Sequence, residues 1–195
     1  MVKKVIEAGK RIPRRILRFF FNFDRWHLSI STERAYVVDL IIYLNALPEA
    51  TRVSVAEIGC GLGDIIGNIK FKNKLGYDRE LNVIKAAGFI SKIKFNNIKF
   101  AEFSFPESTL SGEYNMIIIV NWIHSIEPQI LKDAIHKYYT ENLLSGGNII
   151  VDTVQASNYK FNHKISYLTS DLPSCEIQKI GDYENQREVF AIIKK

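Results

Sequence analysis

Apolar positions along this chain fall into two registers, and each predicts a different kind of element. Tyr36, Val37, Leu40, Ile41 and Leu44 recur at three- and four-residue spacing, which makes one stripe of a helix. Ser31 or Thr32 would cap that helix, Glu33 suits its positive end, and Ala46-Leu47-Pro48-Glu49 ends it. Upstream, Pro13 in a first turn predicts a helix through Ile16 and Leu17 to Phe20. A connector from Asn22 to Ser29, holding Trp26 and His27, follows it. The second register is the short continuous apolar run. Tyr114 to Asn121 has an unbroken apolar centre, as expected of a strand covered on both faces.

From Arg52 onward the two registers alternate. Strands are predicted at Arg52 to Ile58, Leu75 to Asp78, Asn97 to Phe103, Tyr114 to Asn121 and Asn148 to Thr153. Helices are predicted at Asp64 to Ile69, at Glu80 to Ala87, and from Glu127-Pro128 to about Asn142, where proline suits the first helical position. Cys175 to Ile180 and Glu188 to Ile193 read as a closing pair of strands joined by Gly181-Asp182-Tyr183-Glu184-Asn185. The sum is a doubly wound α/β fold: a seven-stranded, mostly parallel sheet with an antiparallel C-terminal strand. In such a sheet the ligand crevice lies beyond the carboxyl ends of the strands, where Glu57, Asp78, Asn121 and Asp152 all fall.

Length and composition narrow the class. With 195 residues the chain suits one such domain, and 47% hydrophobic and 12% aromatic residues argue against a disordered chain. We divide it into a basic arm with lid helices at residues 1–47 and a cofactor-binding domain at 48–195. Cys60 and Cys175 lie far apart and form neither a disulfide framework nor a metal cluster, so a reduced, cytoplasmic protein is expected. No apolar run is long enough to span a bilayer. No metal ligand set is expected either, since His124, Asp152 and His163 lack close metal-binding spacing.

The net charge of +5 is uneven. Lys3, Lys4, Lys10, Arg11, Arg14, Arg15 and Arg18 face Glu7 alone, and Phe19, Phe20, Phe21 and Phe23 follow. Such a segment suits nucleic acid, an anionic membrane surface or a phosphorylated substrate. A solvated arm whose aromatic end docks on the domain is the simpler reading.

The chemistry is concentrated at Val55-Ala56-Glu57-Ile58-Gly59-Cys60-Gly61-Leu62-Gly63-Asp64, a strand that ends in an acid and breaks into three alternating glycines. Glycines let the backbone pass close to a ligand, and an acid about 20 residues later, here Asp78, can bind ribose hydroxyls. An adenosine-bearing cofactor is the economical explanation. NAD, FAD and S-adenosylmethionine all satisfy it. A hairpin after strand five departs from an ordinary dinucleotide-binding half, which continues with parallel crossovers.

With these features the chain resembles the class I S-adenosylmethionine-dependent methyltransferases over about residues 50 to 195. Val55 to Asp64 looks like their first motif, Tyr114 to His124 like their fourth-strand segment, and Leu143 to Val151 like their glycine-pair entry to strand five. The resemblance implies a Rossmann-like methyltransferase fold and S-adenosyl-L-methionine as cofactor, with S-adenosyl-L-homocysteine as product. It implies that Gly59, Gly61 and Gly63, with Cys60 and Asp64 in the same turn, surround the methionine and ribose. Glu57 would orient the turn or bind the amino group, Asp78 would hold the ribose, and Tyr77 and Arg79 would flank the adenine. Asn121 would offer its carbonyl to the methionine amine, with Trp122 beside it. Two positions depart from the pattern: Phe103-Ser104 stands where an adenine-binding aspartate is common, leaving Ser104 or backbone for that contact, and Asn115 replaces an acid at strand four.

Methyl transfer needs alignment above all, and an oxygen acceptor also needs a proton removed. His124, just past Asn121, is the leading base; His163 in Tyr159 to Lys164 is the second; Asp152 can polarise a histidine or bind a hydroxyl. His27 with Trp26 reads as a lid, and His136 as structural. The expected function is methyl transfer to a small polar acceptor, on an oxygen of a sugar, nucleotide-sugar or related metabolite, anionic acceptors included. An NAD-dependent oxidoreductase, an RNA methyltransferase and a non-catalytic cofactor-binding relative are the alternatives.

Overall fold

The computed structural model describes residues 14–30, 33–94 and 98–195. Residues 1–13, with their arm and Pro13, lie outside that set, as do the proposed caps Ser31 and Thr32. Seven strands form one sheet: β1 (Ser54–Ile58), β2 (Asn73–Asp78), β3 (Ile98–Glu102), β4 (Tyr114–Ile119), β5 (Leu143–Thr153), β6 (Cys175–Tyr183) and β7 (Arg187–Lys194). Their order is β3-β2-β1-β4-β5-β7-β6. Strands β1 to β5 pair in parallel, and β7 runs antiparallel to both β5 and β6. The alternating sequence pattern therefore produces the expected doubly wound sheet, with a hairpin that tucks its second strand inside its first.

Side-chain alternation on the central strands splits the core into two layers. Met116, Ile118 and Val120 join Val55, Ile150, Val189 and Ala191 on one face, where α2 (Ala35–Ala46) packs through Tyr36, Val37, Leu40 and Leu44. Ile117 and Ile119 join Ala56, Ile58, Ile149 and Val151 on the other, against Leu131 and Ile135 of α4 (Pro128–Lys137). Each such buried side chain contributes about 1.5–3 kcal/mol, so the strand interiors are fixed by their own hydrophobicity. A third, smaller cluster packs α1 (Arg14–Phe21) onto α3 (Leu81–Lys94) through Leu17, Phe23, Leu62, Val83, Ala86 and Ile90. The short α5 (Ile165–Leu168) closes the inserted segment before β6.

Three local expectations need correction. Residues 64–69 are a run of turns rather than a helix. There Glu57 takes the Ile66 N–H, Asn68 Nδ2 binds the Asp64 carbonyl, and Gly67 adds backbone freedom, so the helical ladder loses its partners. The helix read as Glu80 to Ala87 continues to Lys94, because Val83, Ala86, Ala87 and Ile90 keep one stripe buried. The helix after Pro128 leaves α geometry at Tyr138, and residues Tyr138–Asn142 form a wider π turn. Asn142 ends that turn with its side-chain amide bound to the carbonyls of Leu110 and Gly112.

Candidate functional site

The carboxyl ends of β1, β2 and β4 open into a pocket of about 540 Å³, roofed by α1 and the short turn Arg25–Leu28. That size lies within the range of small-molecule sites, about 300–1,000 Å³. The turn after β1 forms its floor. Gly59 has φ of +77°, and a Cβ there would stand 2.3 Å from the Trp122 indole; Gly61 has φ of +53° and would meet His27 at 3.2 Å. Both positions thus require glycine. Trp122 is fixed by a hydrogen bond from Nε1 to the Ile58 carbonyl at 2.6 Å and by edge contact with Phe105.

The acids of the motif stitch this turn together. The Gly61 N–H donates to Asp78 Oδ2 at 2.9 Å and the Glu80 N–H to Oδ1 at 3.1 Å. Each carboxylate oxygen accepts more than one bond, so Asp78 can hold the turn and meet ribose hydroxyls together. Glu57 is buried and accepts the Ile66 N–H at 2.9 Å; burial raises its carboxyl well above the ordinary range. Burial likewise raises the Cys60 thiol, which removes thiolate character. Asp64 forms an ion pair with Arg14 that ties α1 to the turn, and Arg14 also donates to the carbonyls of His27 and Ser29.

Glu57, Gly59, Cys60, Gly61, Asp64, Asp78, Arg79, Asn121, Trp122 and His124 line the pocket. Tyr77 does not: its ring packs on Phe103 in the core, while its carbonyl accepts the N–H groups of Gly59 and Cys60 at 2.8 Å each. Ser104 is exposed and turned into a local loop, accepting no pocket place; Phe103 and Phe105 stand there instead. That part of the pocket is accordingly apolar, and Ser104 does not reach it.

Past β4 a polar network is built around Asp152, which is fully buried at the end of β5. The Asn121 N–H donates to its Oδ1 at 2.8 Å, His124 Nε2 lies 3.2 Å from its Oδ2, and Arg187 forms an ion pair with it. A carboxylate can only accept, so Nε2 carries the proton and Nδ1 keeps the lone pair. Nδ1 has no hydrogen-bond partner among the described residues. Burial, and then the Arg187 guanidinium, lower the imidazole to about 4, so it is neutral near pH 7. Tyr159 packs edge-on against its ring at 4.8 Å and receives a hydrogen bond from Arg187.

His163 stands behind this group. Its Nε2 donates to the Ile123 carbonyl at 3.0 Å, it is buried, and it does not line the pocket; Asp152 is likewise set back from it. His163 therefore holds the backbone beneath His124. Three participants escaped the sequence. Tyr36 and Arg34 donate to Asn121 Oδ1 at 2.8 and 2.9 Å, although Tyr36 reads as one more apolar stripe position. Arg187 is two residues from Val189, the antiparallel partner of Asp152, so it shares that sheet face; only the register reveals it. On the opposite rim, Asp24, His27 and Glu80 bring ligand atoms within 4.8 Å of one another, but Asp24 already accepts the Trp26 N–H.

The strand order, the inserted antiparallel β7 and the glycine turn at the β1 end define the class I S-adenosylmethionine-dependent methyltransferase fold. Solved structures share it. Magnesium protoporphyrin IX methyltransferase from Synechocystis, with S-adenosylhomocysteine bound, superposes with a TM-score of 0.69 at 14% identity, over 93% of this chain and 100% of that one. The N-methyltransferase NodS from Bradyrhizobium japonicum gives 0.68 at 14% identity, over 92% and 97%. A methyltransferase from Clostridium acetobutylicum gives 0.64 at 13% identity, over 93% and 98%. No protein-family model matches the chain, and neither does the sequence of any curated protein.

Proposed function

We propose that this protein transfers a methyl group from S-adenosylmethionine to a small polar molecule. The pocket residues suit that cofactor. Gly59 and Gly61 leave a cradle that a Cβ would fill, and Asp78 retains acceptor capacity for a ribose and brings a carboxylate to the pocket of a cationic ligand. Bound there, S-adenosylmethionine supplies a methyl group already activated by its sulfonium.

The observation that carries the chemistry is the neutral His124, with its Nε2 proton committed to Asp152 and its Nδ1 lone pair uncommitted. That arrangement is a general base. His124 Nδ1 would take the proton of an acceptor hydroxyl held against it, while the Gly59–Gly61 turn and Asp78 would hold the cofactor that supplies the methyl group. Asp152 then stabilises the imidazolium, as a buried orienting carboxylate does. Tyr159 shields His124, so the acceptor displaces that ring to reach it. Trp26, Tyr159, Arg34 and Lys160 at the mouth combine aromatic faces with hydrogen-bond donors, which favours a hydroxylated acceptor such as a sugar derivative.

The test is a mass-spectrometric screen for S-adenosylhomocysteine formation with hydroxylated small molecules, run beside His124→Gln. Product with the native protein and at least about a hundredfold less with the variant supports the reading. Equal rates would remove His124 from the chemistry.

A further inference from the structure

The outer face of α1 is apolar and meets solvent. Ile16, Phe19 and Phe20 are spaced i, i+3, i+4, so they form one stripe. They are exposed to 51%, 84% and 74%. The opposite stripe, through Leu17, is buried against Leu62 and α3, so the helix is anchored without them. Phe21 touches Phe89 on α3, and Phe89 with Ile93 extends the exposed apolar area. An apolar surface of this kind, held on a fixed element, marks an interaction site.

Charge selects the occupant. Helix α1 carries Arg14, Arg15 and Arg18, helix α3 carries Lys85, Lys92 and Lys94, and neither contains a carboxylate. Arg14 is engaged by Asp64 and Arg18 by the Phe23 carbonyl. Arg15, Lys85, Lys92 and Lys94 are exposed, Lys85 and Lys92 lie one turn either side of Phe89 on α3, and Arg15, Arg18 and Arg25 share a shallow basic recess. The 13 residues before α1 add Lys3, Lys4, Lys10 and Arg11 against Glu7. Aromatic side chains accompanied by long cations match the boundary of an anionic bilayer, with rings at the acyl edge and cations at the headgroups.

We propose that the Ile16–Phe19–Phe20 face of α1, with the α3 lysines, docks the protein on an anionic lipid bilayer surface. This is contact with the surface: no helix among the described residues is long and apolar enough to cross a membrane. The contact is independent of the methyltransferase reading. It bears on it because α1 is tied to the pocket through the Arg14–Asp64 pair.

The experiment is co-sedimentation of the full chain with vesicles of phosphatidylcholine alone and of an equal mixture with phosphatidylglycerol, at low and high salt. Binding is expected on the mixed vesicles, weakened by salt. Phe19→Ser with Phe20→Ser should lower partitioning at least about tenfold, with an unchanged circular dichroism spectrum because both rings are exposed. Lys85→Glu with Lys92→Glu should lower binding to the mixed vesicles only. Failure of the native chain to associate, or undiminished binding by the phenylalanine variant, would overturn the proposal. So would a native dimer in sedimentation velocity that the same variant makes monomeric, since the face would then be a protein interface.

Discussion

Asp152 Oδ2 lies 3.2 Å from His124 Nε2, joining the end of β5 to the turn that follows β4. The same carboxylate accepts the Asn121 N–H and pairs with Arg187, so one buried charge sets the geometry of the whole pocket wall. Asp152→Asn keeps the size but can present an N–H to Nε2, which favours the opposite tautomer. It should lower turnover by at least about a hundredfold while leaving S-adenosylhomocysteine affinity within about twofold. A matched loss of cofactor affinity would make Asp152 a purely structural group.

Arg187 neutralises Asp152 inside the protein, and its guanidinium also lies over the Tyr36 ring at 4.6 Å. Arg187→Met leaves a buried carboxylate unpaired, which costs about 3–5 kcal/mol. Urea denaturation should show that loss. Adding Asp152→Asn to it should recover part of the stability, because the stranded charge is gone. Additive losses would mean the two residues act separately.

His124 gives the protein a pH signature. Its proton binds near pH 4 in the folded chain and near the ordinary 6.5 once unfolded. Between those values the unfolded state holds more protons, so stability is complete above the upper value and falls as pH drops toward the lower. His163, also lowered by burial, acts in the same direction. Urea midpoints measured across this window should fall with acid in the native chain and fall less in His124→Gln. Identical slopes would show that His124 titrates normally.

At Gly59 the backbone and the pocket meet. Gly59→Ala places a Cβ against the Trp122 indole at a positive φ, so it should cost at least about 1–2 kcal/mol. It should also shift tryptophan fluorescence as Trp122 is pushed from the Ile58 carbonyl. A variant of native stability and spectrum would contradict the packing described.

How much of this was legible in the sequence follows from which forces are local. The apolar centre of β4 and the glycine turn after β1 announce themselves, because burial on both faces and close backbone approach each demand particular residues. Glu57, Asp78 and Asn121 follow from strand ends. Tyr77, whose place beside the adenine the resemblance implied, turns its ring onto Phe103 in the core instead. The turn at residues 64–69 hid because the Ile66 N–H is captured by Glu57, a residue outside it. Arg187 and Arg34 reach the site across the β5–β7 register and from the segment before α2. Neither relation leaves a local trace.

The central claim is that the turn from Gly59 to Asp64, closed by Asp78, binds S-adenosylmethionine. Calorimetric titration of the purified chain with S-adenosylmethionine, S-adenosylhomocysteine and NAD tests it directly, with Asp78→Ala as the matched variant. The account predicts micromolar binding of the first two and none of NAD. It also predicts a loss of roughly 1.5–3 kcal/mol in Asp78→Ala, the scale of hydrogen bonds to a charged group. Selective NAD binding, or binding that Asp78→Ala leaves unchanged, would contradict it.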